Sequence, residues 1–242
     1  MIGAKDYFEQ YLAWKRSESN LRTAKYTYEP YSTMDLETLI LEAEHENPGA
    51  QEELGERYLF GLDGLRADPD KALELFGQAA AAGHPDGMHM QAEVHRTAEF
   101  DRQDYGQYFD LLKKAAEGGS WKAMFNLSCA CYKGKEAYEG HGFDVDKLAA
   151  LKWSTKCTVL TMQMLEFYFT NACAEGFTDY MQGVFALFVQ SVCVSARQLM
   201  RGDGVPRDMD WAKTMLTDAQ SFYRHYFKAD CSDFATLLSH CS

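Results

Sequence analysis

Long hydrophobic runs are missing from this sequence. The longest uncharged window, Tyr180 to Ala196, is 17 residues and is interrupted by Gln182, Gln190, Ser191 and Ser195, whereas a bilayer-spanning helix needs about 20 predominantly apolar residues. It reads as a buried helix, and no membrane association is expected. A basic surplus is missing too. Against 36 Asp and Glu stand 24 Lys and Arg, a net charge of −12, and such a field repels a phosphate backbone instead of releasing its counterions, so nucleic acid is not expected as a partner. The seven cysteines, at 129, 131, 157, 173, 193, 231 and 241, are odd in number and lack the regular spacing that a disulfide framework imposes, which fits a reducing compartment. The first residues, Met1 to Asp6 passing into Tyr7-Phe8-Glu9-Gln10, have neither a basic segment nor an unbroken apolar stretch of the secretory kind. A cytoplasmic location is the expectation. With 46% hydrophobic and 25% charged residues, the composition is that of an ordinary folded, water-soluble chain.

Signatures of chemistry are absent as well. There is no Gly-x-x-x-x-Gly-Lys phosphate loop, no Gly-x-Gly-x-x-Gly after a strand, no His-Glu-x-x-His helix, no Gly-x-Ser-x-Gly elbow and no Ser-x-x-Lys. Cys129-x-Cys131 on a helix places its thiols about 200° apart, too far round to grip one ion. His89 and Glu93, four apart on one helical face and close to His95, could form half of a zinc site, but two further ligands are not identifiable and a solvated groove face is the plainer reading. His84 and His141 fall in turns. No catalytic residue, cofactor or metal site is therefore assigned, and the chain reads as a non-enzyme.

What the sequence does have is a repeat. Its clearest unit runs from Ala50 to Asp86: Ala50, Leu54-Gly55, Tyr58, Gly61, Gly64-Leu65, Asp68, Lys71-Ala72, Leu75-Phe76, Ala79-Ala80 and Gly83. A second unit opens at Gly87, 37 positions on, and a third at Ala123, 36 further. The second carries Tyr108, Leu111-Leu112, Lys114-Ala115-Ala116 and Gly118; the third carries Leu127, Gly134, Asp146, Leu148-Ala149 and Trp153. A fourth shows Leu199, Gly202-Asp203-Gly204-Val205, Asp208, Trp211-Ala212, Leu216 and Ala219, and Leu39-Ile40-Glu42-Ala43 reads as the second helix of a partial leading unit.

Leu54, Tyr58, Ala72, Leu75, Phe76 and Ala79 recur at spacings of three and four, the period of a buried helical face. Small residues lie where helices cross closely. Gly61 and Gly64 suit a helix exit at positive φ, Asp68-Pro69 is a cap followed by a first-turn proline, and Gly83 ends the second helix. Each unit is a helical hairpin that cannot bury its apolar face alone, so neighbours must stack.

This pattern resembles the Sel1-like repeat family, whose consensus is an Ala-x-x-x-Leu-Gly-x-x-Tyr-x-x-Gly helix, a Gly-x-Gly-Val loop, and a helix with Lys-Ala and Ala-Ala before a Gly. The resemblance implies an all-α, right-handed superhelical solenoid of antiparallel helix pairs with terminal capping helices. It also implies a scaffold or adaptor that binds another protein or peptide. Some cysteine-rich proteins with similar repeats are linked to β-lactam chemistry, but Ser-x-x-Lys and regular cysteine pairs are missing here. The expected organisation is a capping helix and linker over 1–33, repeats over 34–157 with a partial unit at 34–49, a degenerate hairpin plus a further unit over 158–220, and capping helices over 221–242. Within it, the linker Lys133 to Phe143 is expected to be a mobile excursion, and the altered second unit, with the polar stretch Thr97 to Gln103 in place of the glycine loop, to pack poorly.

Helix geometry then indicates the binding face. The first helix of each unit lines the concave side of such an array, and positions two residues from the Leu-Gly-Tyr stripe project into the groove: Glu52, Glu56 and Phe60 in the first unit. The same places hold His89, Glu93 and Thr97 in the second, and Phe125, Cys129 and Lys133 in the third. Acid beside aromatic suits a basic partner segment carrying Lys or Arg next to an apolar residue. An acidic inhibitor or immunity-type protein neutralising one basic partner is the alternative, and an unrecognised hydrolase a more distant one. At the ends, Tyr7, Phe8, Tyr11, Leu12 and Trp14, and again Phe222, Tyr223, Tyr226 and Phe227, form aromatic faces that would cap the array or, as the other reading, join two copies in a homodimer.

Overall fold

The computed structural model describes residues 31–97, 103–171 and 179–241, and no strand occurs among them. The helices are α1 (Leu36–Glu44), α2 (Pro48–Phe60), α3 (Pro69–Ala81), α4 (Pro85–Arg96), α5 (Tyr105–Gly118), α6 (Trp121–Lys133), α7 (Lys147–Asn171), α8 (Asp179–Arg201), α9 (Met209–Phe227) and α10 (Ser232–Ser239), with short 3-10 turns at Tyr31–Thr33 and Lys135–Tyr138. The aromatic helix expected over residues 7 to 14, and the break expected at Glu175 to Thr178, lie outside the described residues.

Local chemistry sets the helix ends as the sequence suggests. The Asp68 side chain accepts from the Lys71 N–H at 3.0 Å and Pro69 takes the first helical position, while α2 stops on Gly61 at φ 65°, a conformation that costs a side-chain-bearing residue about 1–2 kcal/mol. Ala72, Leu75, Phe76 and Ala79 form the buried stripe of α3.

One backbone bond recurs in four of the described hairpins. The N–H of the aspartate that caps each second helix donates to a carbonyl near the end of the first helix: Asp68 to Tyr58 at 2.8 Å, Asp104 to His95 at 2.8 Å, Asp146 to Cys131 at 2.9 Å and Asp208 to Leu199 at 3.1 Å. The second unit keeps this closure although His95 replaces the consensus tyrosine; residues 98–102 of its polar stretch lie outside the described residues.

The described residues form two compact units, one built from 31–97, 103–130 and 134–143 and the other from 131–133, 144–171 and 179–241. In the first, close helix crossings depend on glycine. A Cβ on Gly55 would stand 2.5 Å from the Phe76 ring, and one on Gly87 would stand 2.6 Å from Ala79 Cβ, separations that real carbon atoms do not reach. Arg57 is buried and donates to the carbonyls of Tyr31 and Met34 at 3.1 and 2.8 Å, tying the leading segment to α2. The linker after α6 differs from the expected mobile excursion. Tyr138 and Phe143 pack edge-on against Phe109 of α5 at 5.0 and 5.2 Å between centroids, because its aromatic residues have more to gain from burial than the glycines lose in chain freedom.

In the second unit the expected boundary at 157/158 falls inside α7, a single helix of 25 residues, and the boundary at 220/221 falls inside α9. The two apolar helices expected as a degenerate hairpin are the far part of α7, which begins already at Lys147, and α8, which runs on to Arg201. They meet through hydroxyls, Ser154 Oγ to Ser195 Oγ at 2.7 Å and Thr158 Oγ1 to Ser191 Oγ at 2.9 Å. Beyond these, Phe222, Tyr223, Tyr226 and Phe227 of α9 pack on Phe169, Phe185 and Phe188, with Phe169 and Tyr226 stacked at 4.6 Å. These expected terminal aromatics thus have ring partners within the chain. The apolar window runs on past Arg197, so by length and composition Met181–Arg201 could cross a membrane, yet half of it is buried inside the unit.

Candidate functional site

The face shared by the first helices α2, α4 and α6 gathers most of the charge expected there. Glu52 and Glu56 occupy the fifth and ninth positions of α2, and His89 and Glu93 the same positions of α4. Opposite them come the second and sixth positions of the following helices: Asp86 on α4, and Lys122 and Asn126 on α6. Lys122 Nζ lies 3.3 Å from Glu56 Oε1 and 3.8 Å from Glu52 Oε1, reaching past α4 to a helix two repeats away. Asn126 Nδ2 donates to Glu93 Oε1 at 2.9 Å and lies 3.1 Å from His89 Nε2. The other Glu93 oxygen takes a 2.7 Å bond from Arg96.

Burial governs the electrostatics. The Glu52 carboxyl is pushed well above the usual glutamate value by desolvation, against the pull of the Lys122 ammonium. His89 is held neutral, its pKa lowered to about 3 by burial and then by Lys122. With the Asn126 amide as donor to both its neighbours, His89 Nε2 accepts and the ring proton sits on Nδ1. Three buried atoms here have no hydrogen-bond partner among the described residues: Glu52 Oε1, Asp86 Oδ1 and His89 Nδ1.

The expected residues are thus divided. Glu52, Glu56, His89 and Glu93 come together. His89, however, is only 5% exposed and does not project into solvent as its spacing suggested; the Asn126 side chain lies against its ring nitrogen. Phe60 closes the α2 stripe and is 60% exposed, with Leu62 nearby at 48%. Phe125 and Cys129 are half-buried, Thr97 is half-buried at the end of α4, and Lys133 is exposed in the last turn of α6, within the second unit. Stepping the groove pattern forward by 36 residues lands on Phe125 and misses Lys122 and Asn126, which belong to the adjoining stripe of the helix. Their polarity immediately before the buried Ala123 and Leu127 was the available signal.

Among the described residues, no group of three or more His, Cys, Asp or Glu side chains is arranged to hold a metal ion. The cysteines described are free thiols, and burial pushes Cys131 up to about 11 and Cys193 up to about 12, so neither is a thiolate at neutral pH.

Stacked helical hairpins with one recurring closure define a helix-hairpin repeat protein. Residues 48–84, 102–120 and 121–156 match the family model described as Sel1 repeat. These three segments are similar to Sel1 repeats, which occur generally in protein-interaction scaffolds. Among solved structures, a Sel1 repeat protein from Oxalobacter formigenes is 24% identical with a TM-score of 0.45, the match covering 53% of this chain and 92% of that one. A protective antigen of uropathogenic Escherichia coli strains with an SLR fold is also 24% identical with a TM-score of 0.45, covering 86% of this chain but only 48% of that one, so the present chain spans about half its length. No curated protein matches significantly.

Proposed function

We propose that the chain is an adaptor that holds a basic segment of another protein against the α2–α4–α6 face, with Phe60 receiving an apolar residue and Glu56 and Glu93 facing the cations. The observation that carries this reading is Phe60, 60% exposed at the end of the stripe formed by Glu52 and Glu56. A large exposed ring flanked by carboxylates is the composition of a binding anchor rather than of a resting surface. The net charge of −12 favours encounter with a basic partner and makes the association rate sensitive to salt.

Selection from a random peptide library tests this. The enriched sequences should pair Lys or Arg with a neighbouring aromatic or aliphatic residue, and their binding should fall by about tenfold or more on Phe60→Ala or Glu56→Lys. Enrichment of acidic peptides, or binding indifferent to both substitutions, would sink the reading.

A further inference from the structure

The opposite side of α2 borders a cleft of about 680 Å³ shared with α1 and α3. Its floor is apolar: Leu54 of α2 and Leu75 of α3 belong to the core, and Ile40 of α1 packs half-buried against them. Hydrogen bonds fix which helix ends meet. Gln51, near the start of α2 and only 4% exposed, donates through Nε2 to the Ala43 carbonyl on α1 at 3.3 Å and to Gln78 Oε1 on α3 at 3.2 Å. One end of the cleft is therefore built from the last turns of α1 and α3, and the other from Tyr58 and Lys71, which the Asp68 closure bond holds close. The first end is acidic. Glu44 ends α1, Glu46 follows it, and both line the cleft. Neither α1 nor α3 has a basic residue in its last turn, so two helix C-termini add their partial negative charge to the carboxylates. No hydrogen bond or ion pair engages either glutamate side chain among the described residues, and Lys71, at the far end, is already held by Glu74 at 2.9 Å. Gln51 adds a second, independent demand. Its amide is oriented by the two bonds it donates, and its Oε1 takes no hydrogen bond from any described residue and is not sealed from solvent. An occupant that dries the floor must supply a donor to that oxygen.

We propose that this cleft is a second binding site, for a short extended segment of another protein in which an aliphatic or aromatic residue stands next to Lys or Arg. The apolar side chain rests on Ile40, Leu54 and Leu75, a backbone N–H donates to Gln51 Oε1, and the cation meets Glu44 and Glu46. The volume lies within the roughly 300–1,000 Å³ of clefts that enclose small ligands, enough for a few residues. A peptide supplies all three features, whereas a lipid chain lacks both the donor and the charge. The site goes beyond the α2–α4–α6 reading and does not rest on it, since the 3.6-residue period turns Gln51, Leu54 and Tyr58 away from Glu52, Glu56 and Phe60. One helix thus serves two faces.

The test selects a random heptapeptide library against the full chain carrying Phe60→Ala and Glu56→Lys, which removes the anchor of the other face, so failure of that reading leaves this experiment intact. The enriched sequences should set Lys or Arg beside an aliphatic or aromatic residue. A fluorescently labelled copy of the most enriched peptide should then bind about tenfold or more weakly, by polarisation, when Ala81→Trp is added to plug the cleft from its rim, and again when Glu44→Lys and Glu46→Lys are added together. Ala81, Glu44 and Glu46 are all exposed, and thermal melts establish that each variant folds; should Ala81→Trp fail to do so, the charge reversal decides alone. Absence of enrichment above background would overturn the proposal, as would enrichment of acidic or uncharged sequences. Binding indifferent to the plug or to the charge reversal would overturn it equally, because the peptide would then lie elsewhere on the chain.

Discussion

The two units solve the same packing problem with different materials. In the first, α2 to α6 are 12 to 14 residues long, and the shared face of the first helices carries charge. In the second, α7 and α8 run 25 and 23 residues, about twice the repeat's need. The surplus length must be covered from within, so α9 is drawn out to 19 residues and its far end becomes aromatic. Helix length therefore decides what a face is for. A helix of ordinary repeat length leaves surface available to a partner, whereas a prolonged one consumes its own surface in self-packing.

The strongest way to break the comparison is to empty the aromatic end. Phe188 is fully buried, with Phe185, Phe222 and Phe234 around it, and Phe188→Ala should destabilise the chain by about 3–5 kcal/mol, read as a shift in the urea midpoint. Next comes Gly55→Val, which forces a branched side chain against the buried Phe76 ring and should cost roughly 1–3 kcal/mol in the first unit. A loss well below that would mean the α2–α3 crossing has slack.

A third prediction concerns pH and separates the charged face from the hydroxyl seam. His89 has its pKa lowered from 6.5 to about 3 in the folded chain, so below pH 6.5 the unfolded chain binds more protons. Stability is then lost as pH falls toward the folded value, by up to about 1.4 kcal/mol per unit. Glu52 acts oppositely: its raised pKa lets the folded chain take up its proton first, so its contribution improves as pH falls toward the ordinary glutamate value. His89→Gln should therefore abolish the decline that begins at pH 6.5 and leave a chain that gains stability on mild acidification, measured by urea unfolding at about pH 7 and about pH 5.5. The smallest effect belongs to the seam. Ser191 Oγ already bonds the Phe188 carbonyl at 3.0 Å, and Thr158 Oγ1 the Ser154 carbonyl at 3.0 Å, so Ser191→Ala should cost less than about 1 kcal/mol in the same assay.

Much of the first unit was legible in the sequence. Leu54-Gly55, Tyr58, Asp68-Pro69 and Gly83 each state a local requirement, whether a buried stripe, a close crossing, a cap or a stop, and such requirements are met within one or two turns. The limits of α7 and α8 were not legible, because from Leu151 to Leu165 apolar and small residues occupy nearly every face, and a helix buried on most sides loses the periodic signal that marks where a repeat ends. The charged face was half legible for a related reason. Glu52, Glu56, His89 and Glu93 follow from stepping one repeat to the next, but Lys122 earns its place by reaching Glu56 across 66 residues, and a contact skipping a whole repeat has no signature in either neighbour.

The recurring bond from capping aspartate to first-helix carbonyl spans 10, 9, 15 and 9 residues in the four hairpins. It works as a drawstring: once pulled tight, the helices on either side no longer register how much chain hangs in the pouch. The third hairpin already holds the larger pouch, and its surplus is folded against α5 as an added ornament while the knot remains at 2.9 Å. Doubling a loop's length costs only about 0.6 kcal/mol in closure entropy. Each of these four pouches is thus a position where lineage or laboratory can hang a new recognition element on the chain, with the scaffold behind it unaware of the change.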